Sequence, residues 1–337
     1  MTDRTEFSKL SLEERLVIVE GLYVQYPRVL NILREIGHCQ RRAKLAGEAA
    51  GVLITGDSGT GKTTLRKHYA RDFPRLVTTT GTIVPVLVVI VPVPATPKSL
   101  ATELLTVLGD PGADKGTLIS RTNRLRLLLK RCVVELVILD EFQHFQDRDS
   151  NKVLRTISDW LKVLMDQTGV PIVLIGMPYS ENILDAPGHE QLRRRFPTRI
   201  QLEPFSWSTA DGRMEFRKFL KGIDDALPFP QPSHLSDVEL AFRCYSACQG
   251  VIGPIMTVVR RAAYLALEKS LDCLSLDVLA QAYDDGLAAN NPSRNNPFLD
   301  IKVKQPAKRQ TSNSPPRATN SRSKARPTKV SASDIFS

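Results

Sequence analysis

"GDSGTGKTT", residues 56–64, lies between the apolar run "GVLIT" and the polar, helix-like "LRKHYARDF". Its first eight residues fit the phosphate-loop pattern: Gly56, four residues, Gly61, then Lys62 and Thr63. A loop of this kind between a strand and a helix turns backbone N–H groups toward phosphate oxygens at the helix N-terminus. Gly56, Gly59 and Gly61 open the backbone for that approach. Lys62 would reach the β- and γ-phosphates, and the Thr63 hydroxyl would offer a ligand to Mg²⁺. Gly56, Asp57, Ser58, Gly59, Thr60, Gly61, Lys62, Thr63 and Thr64 are therefore the candidate nucleotide-binding residues. The loop predicts a nucleoside triphosphate, but signalling switches, kinases, helicases and loaders all carry one.

The rest of the chain narrows the chemistry. "LVILDE" is an apolar run that ends in Asp140 and Glu141, roughly eighty residues after the loop. A strand-end carboxylate at Asp140 can hold Mg²⁺ through water. Glu141, one residue on, is placed to activate an attacking water. The intervening run "PVLVVIVPV" and the order Asp then Glu fit ATPases that hydrolyse with a strand-end glutamate. They fit small-molecule kinases and GTPases poorly. "EQLRRRFPTRIQL" then sets three arginines before another apolar run. Either they end a solvated basic helix, or one projects across a subunit boundary onto a neighbour's γ-phosphate. The second reading requires an oligomer and selects Arg195 first and Arg194 second.

Apolar runs at "GVLIT", "TIVPVLVVIVPV", "VVELVILD", "VPIVLIG" and "TRIQL" alternate with helical patterns. That alternation predicts an α/β fold with a five-stranded parallel sheet covered on both faces. Two helices precede it, divided at "QYPRV" with Pro27 at a first helical position. Beyond Thr209 the strand signals stop, and helices are predicted over 211–226, 234–248, 252–269 and 275–288. The expected organisation is N-terminal helices over 1–50, a nucleotide-binding domain over 51–208, a helical lid over 209–290 and a basic tail over 291–337. That tail sets ten Lys or Arg against Asp300 and Asp334, so it holds +8 of the net charge of +10. With few large apolar residues it is predicted to be disordered. It either solubilises the protein or tethers nucleic acid or an acidic partner, with Ile335 and Phe336 as a terminal apolar plug. Five scattered cysteines suggest reduced thiols in a cytoplasmic chain, and Cys244 and Cys248 lack a second pair that would complete a zinc set. No apolar run approaches the ~20 residues of a membrane span, so no membrane partner is expected.

With these stretches in place the chain resembles the AAA+ ATPases, and within them the TnsC/TniB family of transposition ATPases. The resemblance rests on "GVLITGDSGTGKTTL", "VELVILDEFQHF", "VPIVLIGMP", "LRRRFPTRIQLEPF" and "GPIMTVVRRAAYLAL", and it covers roughly residues 20–285. It implies ATP and Mg²⁺ as cofactors and a homo-oligomer that polymerises along duplex DNA. It also implies transposase and target-selector partners, and regulation of transposition without DNA cleavage. For DNA contacts the resemblance points to the loops between the second strand and the acid-pair strand, where Lys98, Lys115, Thr117 and Arg121 stand. Two departures bear on hydrolysis. Met177 occupies the end of the fourth strand, where the family pattern has a polar sensor, and the lid offers only Arg260 and Arg261 as late sensor arginines. A helicase loader or replication-initiation ATPase is the alternative on the same fold. A protein-only ATPase switch without DNA is the alternative from another class.

Overall fold

Period-two alternation along the apolar runs decides how the layers form. The structure, a computed structural model, describes residues 4–46, 49–79, 81–145, 151–186, 190–288 and 295–299. After a short 3₁₀ turn at Arg4–Lys9, helices α1 (Leu12–Glu20) and α2 (Pro27–Ala46) lead into β1 (Val52–Thr55). Helix α3 (Lys62–Arg71) follows the phosphate loop, and a hairpin of β2 (Leu76–Thr78) and β3 (Gly81–Ile83) precedes β4 (Val86–Ile90). Then come α4 (Pro97–Leu108), α5 (Leu118–Arg131), β5 (Leu136–Asp140), α6 (Asn151–Thr168) and β6 (Ile172–Gly176). Helices α7 (Glu181–Asp185) and α8 (Glu190–Arg195) lead to β7 (Thr198–Gln201). Four α-helices follow among the described residues, α9 (Ala210–Ala226), α10 (Val238–Cys248), α11 (Ile252–Glu268) and α12 (Leu276–Tyr283), the last continued by a π-helical turn at Asp284–Ala288.

The main sheet runs β4-β5-β6-β1-β7, with every pair parallel. On one face Val52, Ile54, Ile138, Val173 and Ile175 pack under the N-terminal helices, α3 and the C-terminal helices. On the other, Leu53, Leu87, Val89, Leu139 and Leu174 pack against α4, α5 and α6. The central strands β1, β5 and β6 are thus buried on both sides, whereas the edge strand β7 is only partly covered. The predicted long strand over "TIVPVLVVIVPV" divides, because Pro85 has no N–H to donate. β4 starts at Val86, and the preceding residues form the antiparallel hairpin. Helix α5 starts at Leu118, because the Thr117 side chain accepts from the Ser120 N–H and caps it.

Helices α9 to α12 share one core with α1, α2 and the sheet. Arg4 donates to the carbonyls of Asp224 and Gln231, and Arg15 to that of Pro228. One boundary is corrected. Residues 295–299 belong to the folded core and not to the basic tail: Phe298 is 4% exposed, its ring centroid 6.1 Å from that of Tyr283. Asn296 donates to the Ala280 carbonyl, and buried Arg243 donates to the Pro297 carbonyl at 2.9 Å. The short spacing of polar residues around Pro297 and Phe298 hid this segment within the basic composition that follows it. The tail from residue 300 on, with Ile335 and Phe336, lies outside the described residues.

Candidate nucleotide site

The sheet order sets the geometry of the site. The phosphate loop leaves β1, the acid pair ends β5, and β6 runs between them, so Met177 at the end of β6 stands between the two motifs. Gly59 and Gly61 have φ of 79° and 99°, the left-handed region that favours glycine. Gly56 has no space for a side chain, since a Cβ there would come 2.7 Å from the Leu202 carbonyl oxygen. Helix α3 starts at Lys62 without a side-chain cap, leaving its first N–H groups for an anion.

A cavity of about 430 Å³ opens over this loop, lined by Ser58, Gly59, Thr60, Gly61, Lys62, Thr63, Thr64 and Glu141. Gly56 and Asp57 lie behind it, and their carbonyls accept from Lys62 Nζ at 2.6 and 2.9 Å. Burial lowers the Lys62 pKa, while the nearby carboxylates of Glu141, Asp140 and Asp57 oppose that shift. The far end of the cavity is built by Leu22, Tyr23, Val24 and Tyr26 from the turn between α1 and α2, and by Met256 and Arg260 from α11. Three of these residues carry buried polar atoms without a hydrogen-bond partner among the described residues: the Tyr23 and Tyr26 hydroxyls and Arg260 Nε. Orphaned buried polar atoms call for an explanation, and a polar ligand supplies one. Arg260 also donates to the Leu22 carbonyl at 3.1 Å, whereas Arg261 pairs outward with Asp285. The first turn of α11 rests on the loop, with the Gly253 N–H donating to the Gly59 carbonyl at 2.7 Å.

Asp140 is 3% exposed and sits behind the cavity lining. Burial raises its pKa, opposed first by Arg66, whose Nε lies 2.8 Å from Oδ2 as an ion pair without hydrogen-bond alignment. Nothing in the sequence pattern singles out Arg66. It stands three residues after Thr63 on α3, and that spacing puts both on one helix face. The remaining oxygen, Oδ1, accepts from the Glu141 N–H at 3.0 Å. Glu141 has φ of 60°, uncommon for a residue with a side chain, and lines the cavity. Gln143 donates from Nε2 to Glu141 Oε2 and accepts at Oε1 from the Met177 N–H at 3.2 Å. Met177 Sδ is 4.0 Å from Lys62 Nζ.

The arginines lie at the opposite edge. The Arg195 carbonyl accepts from the Gly51 N–H at the start of β1, so Arg195 is about five strand residues, roughly 16 Å, from the phosphate loop. Its guanidinium pairs with Asp166 of α6 at 2.5 Å. Arg194 is exposed and makes no ion pair among the described residues.

A family model for the bacterial TniB protein matches residues 16–207, more than half of the chain. The chain belongs to the TniB family. It is an ATPase of the AAA+ type. A search of curated proteins finds no match. Among solved structures, this TniB-family chain is similar to Aeropyrum pernix ORC1 in complex with DNA, at 17% identity and TM-score 0.55 over 78% of this chain and 66% of that one. Aeropyrum pernix ORC2 in ADPNP–ADP complexes gives 16% and 0.57, over 81% and 72% of the two chains. Cdc6p from Pyrobaculum aerophilum gives 14% and 0.56, over 79% and 69%. At these identities the likeness speaks for the fold.

The four residues indicated for DNA separate into two groups. Lys98, Lys115 and Thr117 are exposed. Arg121 is 7% exposed and turned inward, donating to Thr102 Oγ1 and to the carbonyls of Asp114 and Gly116. It orders the loop that carries Lys115 and is not available to a phosphate. No single helix among the described residues is long and apolar enough to cross a membrane.

Proposed function

We propose that this TniB-family ATPase assembles on duplex DNA under the control of ATP, shares its nucleotide between neighbouring subunits and links a target selector to a transposase. What carries the proposal is the separation within the chain: Arg194 stands at the strand-start edge, while the phosphate loop stands at the strand-end edge. An arginine so placed is useless to its own nucleotide and suited to a neighbour's. Arg195, held by Asp166, is the less available of the two.

The chain's own residues account for hydrolysis. Loop N–H groups and Lys62 hold the β- and γ-phosphates. Thr63 Oγ1 and the Asp140 carboxylate are hard oxygen donors that suit Mg²⁺, whose charge would neutralise the phosphates when bound. Arg66, paired with Asp140 Oδ2 at 2.8 Å, opposes the upward shift that burial imposes on that carboxyl. Glu141 takes a proton from water as the water oxygen bonds to the γ-phosphorus and the bond to the bridging oxygen breaks, leaving ADP and phosphate. Arg194 of the adjoining subunit stabilises the charge that develops.

The test is complementation in trans. Arg194→Ala and Lys62→Ala subunits, each inactive alone, should recover ATPase activity when mixed, because each retains one half of a shared site. Absence of recovery at every mixing ratio, with both variants folded, contradicts the shared site.

A further inference from the structure

We infer that Gln143 is a positioning residue that couples the end of β6 to the water-activating carboxylate of Glu141. This rests on the reading of Glu141 as the base. Gln143 is only 7% exposed, in the turn Phe142–Phe145 that follows β5. The orientation of its amide follows from its partners: Met177 offers only an N–H and so requires Oε1, while the Glu141 carboxylate only accepts and so requires Nε2. The approach of β6 is close. A Cβ at Gly176 would come 3.1 Å from Gln143 Oε1 and 2.5 Å from Ser180 Oγ, so glycine is what lets the amide sit against the strand end.

Met177 stands beside Lys62, where an incoming γ-phosphate must be accommodated. Its thioether has no strong donor to offer a phosphate. The link from this strand end to the hydrolytic carboxylate is therefore made by main chain: the Met177 N–H, then the Gln143 amide, then Glu141 Oε2. A displacement of the β6 end by bound triphosphate moves the amide, and with it the carboxylate. Glu141 depends on this support, because its left-handed backbone takes no direction from a regular element. With Oε2 held by the amide, Oε1 is left to accept the proton from water.

Two variants separate coupling from mere packing. Gln143→Leu removes both hydrogen bonds at similar volume. Gln143→Glu keeps an acceptor for the Met177 N–H but sets a like charge against Glu141. Coupling predicts that both lose kcat by about tenfold or more while ATP affinity stays within about threefold, since a misplaced group costs turnover without removing phosphate contacts. A packing role predicts that Gln143→Glu, with its link to β6 intact, turns over like the parent. Where Gln143→Leu fails to fold, Gln143→Glu decides the matter alone. Glu141→Gln is measured in parallel. If it is inactive while Gln143→Glu keeps kcat within about threefold of the parent, the coupling is overturned and the base assignment stands. If Glu141→Gln itself turns over, the base assignment falls and the coupling with it.

Discussion

Lys62 and Glu141 line one cavity, and the proposed mechanism gives them separable work, so their variants should differ in kind. Lys62→Ala removes an ammonium held over the loop by the Gly56 and Asp57 carbonyls. A charged hydrogen bond to phosphate contributes about 1.5–3 kcal/mol, so ATP affinity measured by calorimetry should fall by roughly 10- to 150-fold. Unchanged affinity would remove the loop from the nucleotide site. Glu141→Gln keeps shape and hydrogen bonding but not basicity, so kcat should fall by about 10² to 10⁴ with ATP still bound. Turnover within about threefold of the parent would mean that another group activates the water. Both residues were legible in the sequence because the phosphate loop and the strand-end acids are local patterns with a fixed chemistry. Arg66 and Gln143 were not, because their roles depend on which strands become neighbours. Nothing in "TTLRK" or "DEFQH" says that β6 comes to lie between β1 and β5. The same limit applied to Arg121, whose inward course depends on Thr102 and Asp114.

Among the elements, the strands and most helices were readable from apolar periodicity. The β2–β3 hairpin was not, because Val84 and Pro85 continue its apolar run into β4 and disguise two elements as one. The docked segment 295–299 was hidden for the opposite reason: composition averaged over 47 residues concealed one buried phenylalanine. Truncation separates the two regions. A chain ending at 299 should melt like the full chain, within about 0.5 kcal/mol by urea denaturation. A chain ending at 290 loses Phe298 and strips the Pro297 carbonyl from buried Arg243. It should be destabilised by about 3 kcal/mol or more, the range for emptying a buried aromatic site. Equal midpoints for the 290 and 299 chains would show that the segment contributes nothing to the lid.

For the whole molecule, the proposed function makes nucleotide, oligomer and DNA one linked equilibrium. Each DNA phosphate that a Lys or Arg neutralises adds about 0.9 to the salt slope of binding. Replacing both Lys98 and Lys115 by Ala should therefore lower the slope per subunit by nearly 2 while leaving ATP affinity alone. The Arg121→Ala variant should instead lose stability, because its partners are internal. The family membership could be read ahead of the structure; the edge at which the arginines stand could not, since it follows from β7 pairing with the start of β1. That placement makes assembly the decisive observable. The most direct test is electron microscopy and sedimentation of the protein on long duplex DNA, with ATP, with ADP and with the Lys62→Ala variant. Extended or ring-like oligomers should form on DNA with ATP, and none should form with ADP or with Lys62→Ala. Monomers under all three conditions, or equal assembly under all three, would contradict an ATP-controlled assembly on DNA.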